Sequence, residues 1–241
     1  MATGPPTVPT DRLAATLARL SDPSAHGTGM LRLCQISVEV SGTSGAGIML
    51  LSENLPRGSL CTTDGISQLI DGLQYTLGEG PSVDAHSSGK VVVEPQLTSP
   101  AAYRWPAFTP PVTEAGVRAL FGFPVRIGAV RLGALHLYRD TSGALGDDQY
   151  GDLVFMADIV ARTILSMQAN SGGGHVAREL RDGANFHFIV HQAAGMIAVQ
   201  LAISVTEAMI RLRARAFRSE RSIDDVAGDV VHRRLRFSAS D

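Results

Sequence analysis

Lys90 is the only lysine in 241 residues, so every other one of the 21 basic side chains is an arginine. Arginine presents a planar fork that grips phosphate or carboxylate through two hydrogen bonds at once. Cysteine is scarce as well: Cys34 and Cys61 are the only two. They fall in separate predicted elements without CxxC spacing, which argues against zinc and against a disulfide scaffold and suits a reducing compartment. No run approaches the roughly 20 apolar residues that cross a bilayer. The opening MATGPPTVPTDR lacks the basic-then-apolar order of a signal peptide. A cytoplasmic location with no membrane partner is expected. The formal charge is only −2, which excludes steering of the whole molecule toward nucleic acid. No P-loop, nucleophile elbow or clustered metal ligands occur. No catalytic residue stands out, and the chain does not read as an enzyme.

What is present suits a globular protein of two parts. Apolar residues make up 44% and charged residues 18%, enough to bury a core, and the length exceeds one typical domain. Charge is unevenly spread. From His175 onward there are ten arginines and eight acids, against eleven basic and fifteen acidic residues before it. A basic tail of this kind permits nucleic-acid binding without demonstrating it.

Residues 1–10 hold three prolines and read as a disordered N-terminus. Asp11 caps a short predicted helix through Leu13, Leu17 and Leu20. Helical spacing recurs over 30–40 and 66–77, with short strand-like runs at 47–51 and 58–62. A strand at 90–94 precedes a connector from 99 to 111. The β-rich runs 119–125 and 130–138 then form a hairpin. Asp147 opens a long amphipathic helix carrying Leu153, Met156, Ile159, Val160, Thr163, Ile164 and Met167, a stripe suited to pairing with a second copy. ANSGGG breaks the pattern. Residues 11–170 therefore read as an antiparallel α+β domain and 171–182 as a linker.

Three helices follow in 183–237. The first carries Phe186, Ile189, Val190, Ala193, Met196, Ile197 and Gln200 on one side. Ser204-Val-Thr-Glu207 reads as a capping box for the second, whose apolar face is Ala208, Met209, Leu212 and Ala216, continuing to Phe217. Ser222 starts the third, with Ile223, Val226, Ala227, Val230 and Val231 buried. Arg211, Arg215 and Arg218 are spaced i, i+4, i+7 and share one side of the second helix. Arg213 lies nearer the packed face. On pattern alone such a row is a solvated face. Ala193, Ala194 and Gly195 read equally as a tight packing point or as a place where a partner's backbone approaches.

Two resemblances sharpen this reading. GIMLLSEN, LGEGPSVDAHSSGKVVV and FPVRIGAVRLGALHLYR, in that order, make residues 11–170 similar to a GAF domain, a small-molecule sensor fold. Related sequences often have cysteine where Ser82 stands, so thiol chemistry or metal ligation there is not expected. The stretch HQAAGMIAVQLAISVTEAMIRLRARAFRSERSIDDVAGDVV resembles the ANTAR module, with matches at Gln192, Ala194, Gly195, Glu207, Ala208, Leu212, Arg213 and Ala227. The resemblance implies an α+β GAF-like sensor followed by an all-α three-helix ANTAR domain. It also implies binding to RNA carrying paired hairpins, with control of transcription termination or of ribosome access. Gln192, Ala194, Gly195, Arg211, Arg213, Arg215 and Arg218 are the candidate RNA-binding residues. A homodimer would present two such tails. The GAF-like part leaves its cofactor unassigned, since that fold accepts many small ligands.

Two alternatives carry less weight. Short helices with arginines on the second also suit a DNA-binding helix-turn-helix. Some GAF-like folds are sulfoxide reductases, but these need clustered cysteines. His187 and His191 have metal-ligand spacing yet lack the glutamate of HExxH and a third ligand, so no metal is expected. Tyr103, Trp105 and Phe108 read as packing against a sheet rather than as a ligand floor.

Overall fold

The computed structural model describes residues 29–52, 55–97, 104–169, 188–219 and 221–238. The chain divides into two compact units, Met1–Asn185 and Phe186–Asp241. The predicted N-terminal segments, the linker at 171–182, Tyr103, Phe186 and His187 lie outside the described residues.

In the first unit the described elements run α1 (Gly29–Ser41), β1 (Gly45–Ser52), β2 (Leu55–Thr62), α2 (Gly65–Leu77), α3 (Pro81–Ser88), β3 (Val92–Glu94), α4 (Thr109–Glu114), β4 (Ala119–Ile127), β5 (Val130–Arg139) and α5 (Asp147–Ala169). The five strands make one antiparallel sheet ordered β2-β1-β5-β4-β3. This is the expected α+β class. Side chains alternate between the two faces of a strand, so the register sorts the core into two halves. Met49, Leu51, Leu120, Ala134 and Tyr138 share one face with Ile70, Val83, Trp105 and Phe108 from the α2–α4 side. The opposite face holds Ile48, Phe121, Phe123, Leu135 and Leu137, all fully buried, and α1 and α5 lie on that side, where Phe123 meets Tyr150 at the start of α5 with ring centroids 5.7 Å apart.

Several expectations change here. Cys34 and Cys61 form a disulfide rather than two isolated thiols. Cys61 sits in register with Ile48, on the face covered by the buried side of α1 that carries Cys34; spacing along the chain does not reveal that meeting. The α5 stripe is largely consumed within the unit, since Leu153, Met156, Val160 and Ile164 are buried. Helices α3 and α4 were not anticipated, because each is short and each carries proline in its first turn. Trp105 packs as expected, 2% exposed and edge-on to Phe108.

The LGEGP run explains how α2 hands over to α3. Gly78 caps α2 in the left-handed conformation at φ 69, which glycine adopts without strain. The Glu79 carboxylate accepts the backbone N–H groups of Ala107 and Phe108 at 3.1 and 3.4 Å, tying the turn to the start of α4. Gly80 has φ +129, and a Cβ there would overlap the Gln74 side chain. Pro81 then occupies the first turn of α3, where its missing donor costs nothing.

The second unit consists of α6 (Phe188–Leu201), α7 (Val205–Arg218) and α8 (Ile223–Val231). Val190, Ala193, Ala194 and Ile197 meet Ala208, Met209, Leu212 and Ala216, together with Ile223, Val226, Ala227 and Val230, in one buried core. Ser204 and Ser222 accept the N–H groups of Glu207 and Asp225, each at 3.1 Å, so both helices begin where the sequence places them. The reciprocal half of the expected capping box is absent, because the Glu207 carboxylate turns to Arg211 at 3.2 Å. Phe217 leaves the predicted apolar face and is 62% exposed. Phe237 is buried beside α6, its N–H donating to Gln200 Oε1 at 3.0 Å.

Candidate functional site

In the second unit, the predicted RNA-binding residues divide by burial. Gln192 is exposed on α6. Ala194 is fully buried, so its surface is spent on packing rather than on contact with a ligand. Gly195 is half-buried, and a Cβ there would project into open space; this glycine is not required by helix packing. On α7, Arg218 is exposed and Arg211, Arg213 and Arg215 are half-buried. Helix α7 carries four arginines and one acid, Glu207.

The outward side of α7 is not purely polar. Turning 100° per residue, Ile210, Ala214 and Phe217 fall on one line opposite the buried stripe. Ile210 is 58% exposed and Ala214 is exposed as well. Arg213 borders this line on one flank, and Arg211 and Arg218 border it on the other. Sequence reading missed the ridge by extending the core face to Phe217, five residues beyond Leu212. A five-residue step turns the helix well past the buried side, and that signal was present in the spacing. Nearby, Arg221 and Arg234 each approach Asp229 at 2.8 Å, and their hydrogen bonds hold its carboxyl below the ordinary aspartate range.

A second candidate lies in the first unit, between the sheet and helices α2 and α3. His136 of β5 stands opposite both Gly47 of β1 and Gly122 of β4. A Cβ on Gly47 would come within 2.4 Å of the His136 ring, and one on Gly45 would overlap Asp64 and Tyr138. These glycines let the β5 side chains lie across β1 toward α2. There His136 Nδ1 sits 3.2 Å from Asp71 Oδ1, with both residues buried. Neither Asp71 oxygen and neither His136 nitrogen has a well-directed hydrogen bond. Burial raises the Asp71 carboxyl to about 7, against a lowering contribution from Ser59. Burial likewise depresses His136 to about 4, opposed by Asp64 and the Ser67 backbone.

Around this pair the seam continues. Asp64 caps α2 through Ile66 and Ser67 N–H, each at 2.8 Å, and accepts the Tyr138 hydroxyl at 3.1 Å. Burial works to raise Asp64, but the Ser67 backbone bond and the hydroxyls of Thr63, Tyr138 and Ser67 outweigh it and lower its carboxyl. Burial and the neighbouring Asp64 charge raise Tyr138 above the usual phenol range. Toward α3, Gln74 Oε1 accepts the Ser82 N–H at 2.6 Å. Gln74 Nε2, Ser82 Oγ and His86 Nδ1 are buried without a partner. A buried polar atom left unpaired costs about 1–3 kcal/mol, so several together mark a place suited to water or a polar ligand. None of these residues had been proposed as a site, because a lone histidine in a strand and an aspartate in a helix carry no motif. Among the described residues no group of three or more His, Cys, Asp or Glu side chains is placed to hold a metal.

No protein-family model matches the chain, and no curated protein matches it in sequence. Solved structures similar to it include the GAF domain of an Acinetobacter phosphoenolpyruvate-protein phosphotransferase, at 13% identity and TM-score 0.49, covering 68% of this chain and 97% of that one. The GAF domain of the Coxiella burnetii phosphoenolpyruvate-protein phosphotransferase (ptsP) is similar at 13% identity and TM-score 0.49, over 68% and 96% of the two chains. A type II free methionine-R-sulfoxide reductase from Thermoplasma acidophilum is similar at 17% identity and TM-score 0.39, over 55% and 87%. Likeness at these levels assigns no chemistry to this chain.

Proposed function

We propose that this protein is a regulator of gene expression in which a GAF-like sensor governs RNA binding by an ANTAR-like three-helix unit. The observation that carries the reading is α7: a capped, amphipathic helix that carries Arg211, Arg215 and Arg218 in one row along the flank between its buried stripe and its exposed apolar ridge. The resemblance of the whole tail to ANTAR modules turns that row from a solvated face into a phosphate-tracking surface. Gln192 and Gly195 on α6 supply further contacts. Arg213 contributes from the opposite flank, and Ala194 contributes only packing. RNA with paired hairpins and small loops is the partner, and antitermination or altered ribosome access is the outcome. The protein acts as a cytoplasmic homodimer and not as an enzyme. In the first unit, the unpaired polar atoms of Gln74, Ser82 and His86, beside the Asp71–His136 pair, receive the small polar ligand that the sensor reads.

The test is the triple variant Arg211→Ala, Arg215→Ala, Arg218→Ala, with folding checked by circular dichroism. Binding to a labelled RNA bearing two short hairpins is followed against salt concentration. Each lost phosphate contact is expected to flatten the slope of log affinity against log salt by about 0.7–0.9, so the variant falls by about 2–3. A folded variant with wild-type affinity and slope rejects this surface.

One observation favours a second reading. Helices α6 and α7 meet at a bend of 107° across a short break, within the range of a helix-turn-helix. A duplex-DNA reader built on α7 is therefore the competing account. The exposed apolar ridge on α7 weighs against it, since a groove-reading helix is expected to present hydrogen-bonding side chains to base edges.

A further inference from the structure

Helix α7 exposes apolar surface where a solvated helix would be polar. Ile210 is 58% and Phe217 is 62% exposed, with exposed Ala214 between them. A single exposed apolar residue is ordinary. A ridge ending in an aromatic ring and bordered on both flanks by arginines is a more specific arrangement. The surroundings narrow the partner. Four arginines and one acid, Glu207, lie on this 14-residue helix. The ridge therefore suits a polyanion that also offers flat apolar surface. Unpaired nucleobases beside their own phosphates meet both requirements, whereas a regular duplex hides its base faces in the stack.

We infer that Phe217 is a stacking platform for an unpaired base of the RNA loop, with Ile210 and Ala214 as the apolar floor beside it. Arg213 and Arg218 hold the phosphates on either side. This rests on the RNA reading above and adds to it. Phosphate contacts give register without discriminating loop from stem, while stacking on Phe217 requires a base free of its partner. Preference for a looped hairpin over a closed duplex arises at this residue.

The experiment uses the full chain and a hairpin RNA carrying 2-aminopurine at each loop position in turn. It compares wild type with Phe217→Ala, Phe217→Leu and Phe217→Tyr. Phe217 contributes little to the core, so the variants are expected to fold, and circular dichroism checks this. Stacking is expected to quench 2-aminopurine at one loop position in wild type and in Phe217→Tyr. Both the alanine and leucine variants lose the quench and bind the looped RNA about tenfold more weakly, in line with the known worth of aromatic–base stacking. Affinity for fully paired RNA stays unchanged. A leucine variant that binds as wild type means simple apolar contact and overturns the inference. Equal weakening toward looped and paired RNA overturns it too. If Phe217 variants have no effect while the triple arginine variant does, RNA binding stands and only the stacking role falls. If wild type itself ignores looped RNA, both fall together, and the ridge belongs to a protein partner.

Discussion

Gly122→Ala is expected to destabilise the first unit by about 3 kcal/mol, and Gly122→Val to leave little native protein. Gly122 lies on β4 directly beneath the start of α3, and a Cβ built there would be 2.4 Å from the Pro81 carbonyl oxygen and 2.8 Å from its carbon. The obstacle is backbone, so no rotamer change relieves it. Inserting atoms into a close-packed site usually costs about 1–3 kcal/mol, and a fixed backbone neighbour places this site at the top of that range. Total stability of a domain is only about 5–15 kcal/mol. The displacement also moves Ser82 and the α2–α3 turn, so the seam around Asp71 is disturbed with it. Urea denaturation of the alanine variant reads the loss. A midpoint equal to wild type contradicts the close seating of α3 on β4.

Asp71→Asn is expected to give the protein a stability that climbs by about 3 kcal/mol between pH 4 and 6.5 relative to wild type. Asp71 is held up to about 7 by burial, so the folded state keeps its proton longer than the unfolded state does. Its contribution is fully present below the ordinary aspartate range and is lost as pH rises toward 7. His136 is pushed down to about 4. Its contribution is fully present above the ordinary histidine range and is lost as pH falls toward 4. In wild type the two slopes oppose each other and largely cancel. Asparagine removes the aspartate's slope and keeps the shape, which leaves the histidine's slope alone. The magnitude follows from 1.36 kcal/mol per unit of pKa difference. Thermal or urea unfolding across pH 4–7 measures it. A variant whose profile runs parallel to wild type shows that Asp71 contributes no slope and contradicts its raised carboxyl.

Much of the fold was legible in the sequence, because two periodicities dominate it. The change from helical to strand spacing after residue 47, and the return to helical spacing at 66–77, located β1, β2 and α2. The serines at 204 and 222 located α7 and α8 through their side-chain oxygens. What escaped were features set by tertiary contact. Helices α3 and α4 are too short to show a period, and proline at their starts reads as a loop signal. The Cys34–Cys61 bond depends on which face of the sheet α1 covers. The polar seam escaped for the same reason. Gly45 and Gly47 look like loose strand residues until Tyr138 and His136 are seen lying across them. On α7 the arginine row was readable from spacing, while the adjacent ridge was hidden by assigning Phe217 to the core.

The measurement closest to the central claim is the affinity of the full-length chain for three labelled ligands at one fixed salt concentration. These are an RNA with two short looped hairpins, the same RNA with its loops scrambled, and a duplex DNA of equal length. Selective binding of the first, with two chains per RNA, is the expected result. Equal affinity for all three, or preference for the duplex DNA, contradicts it.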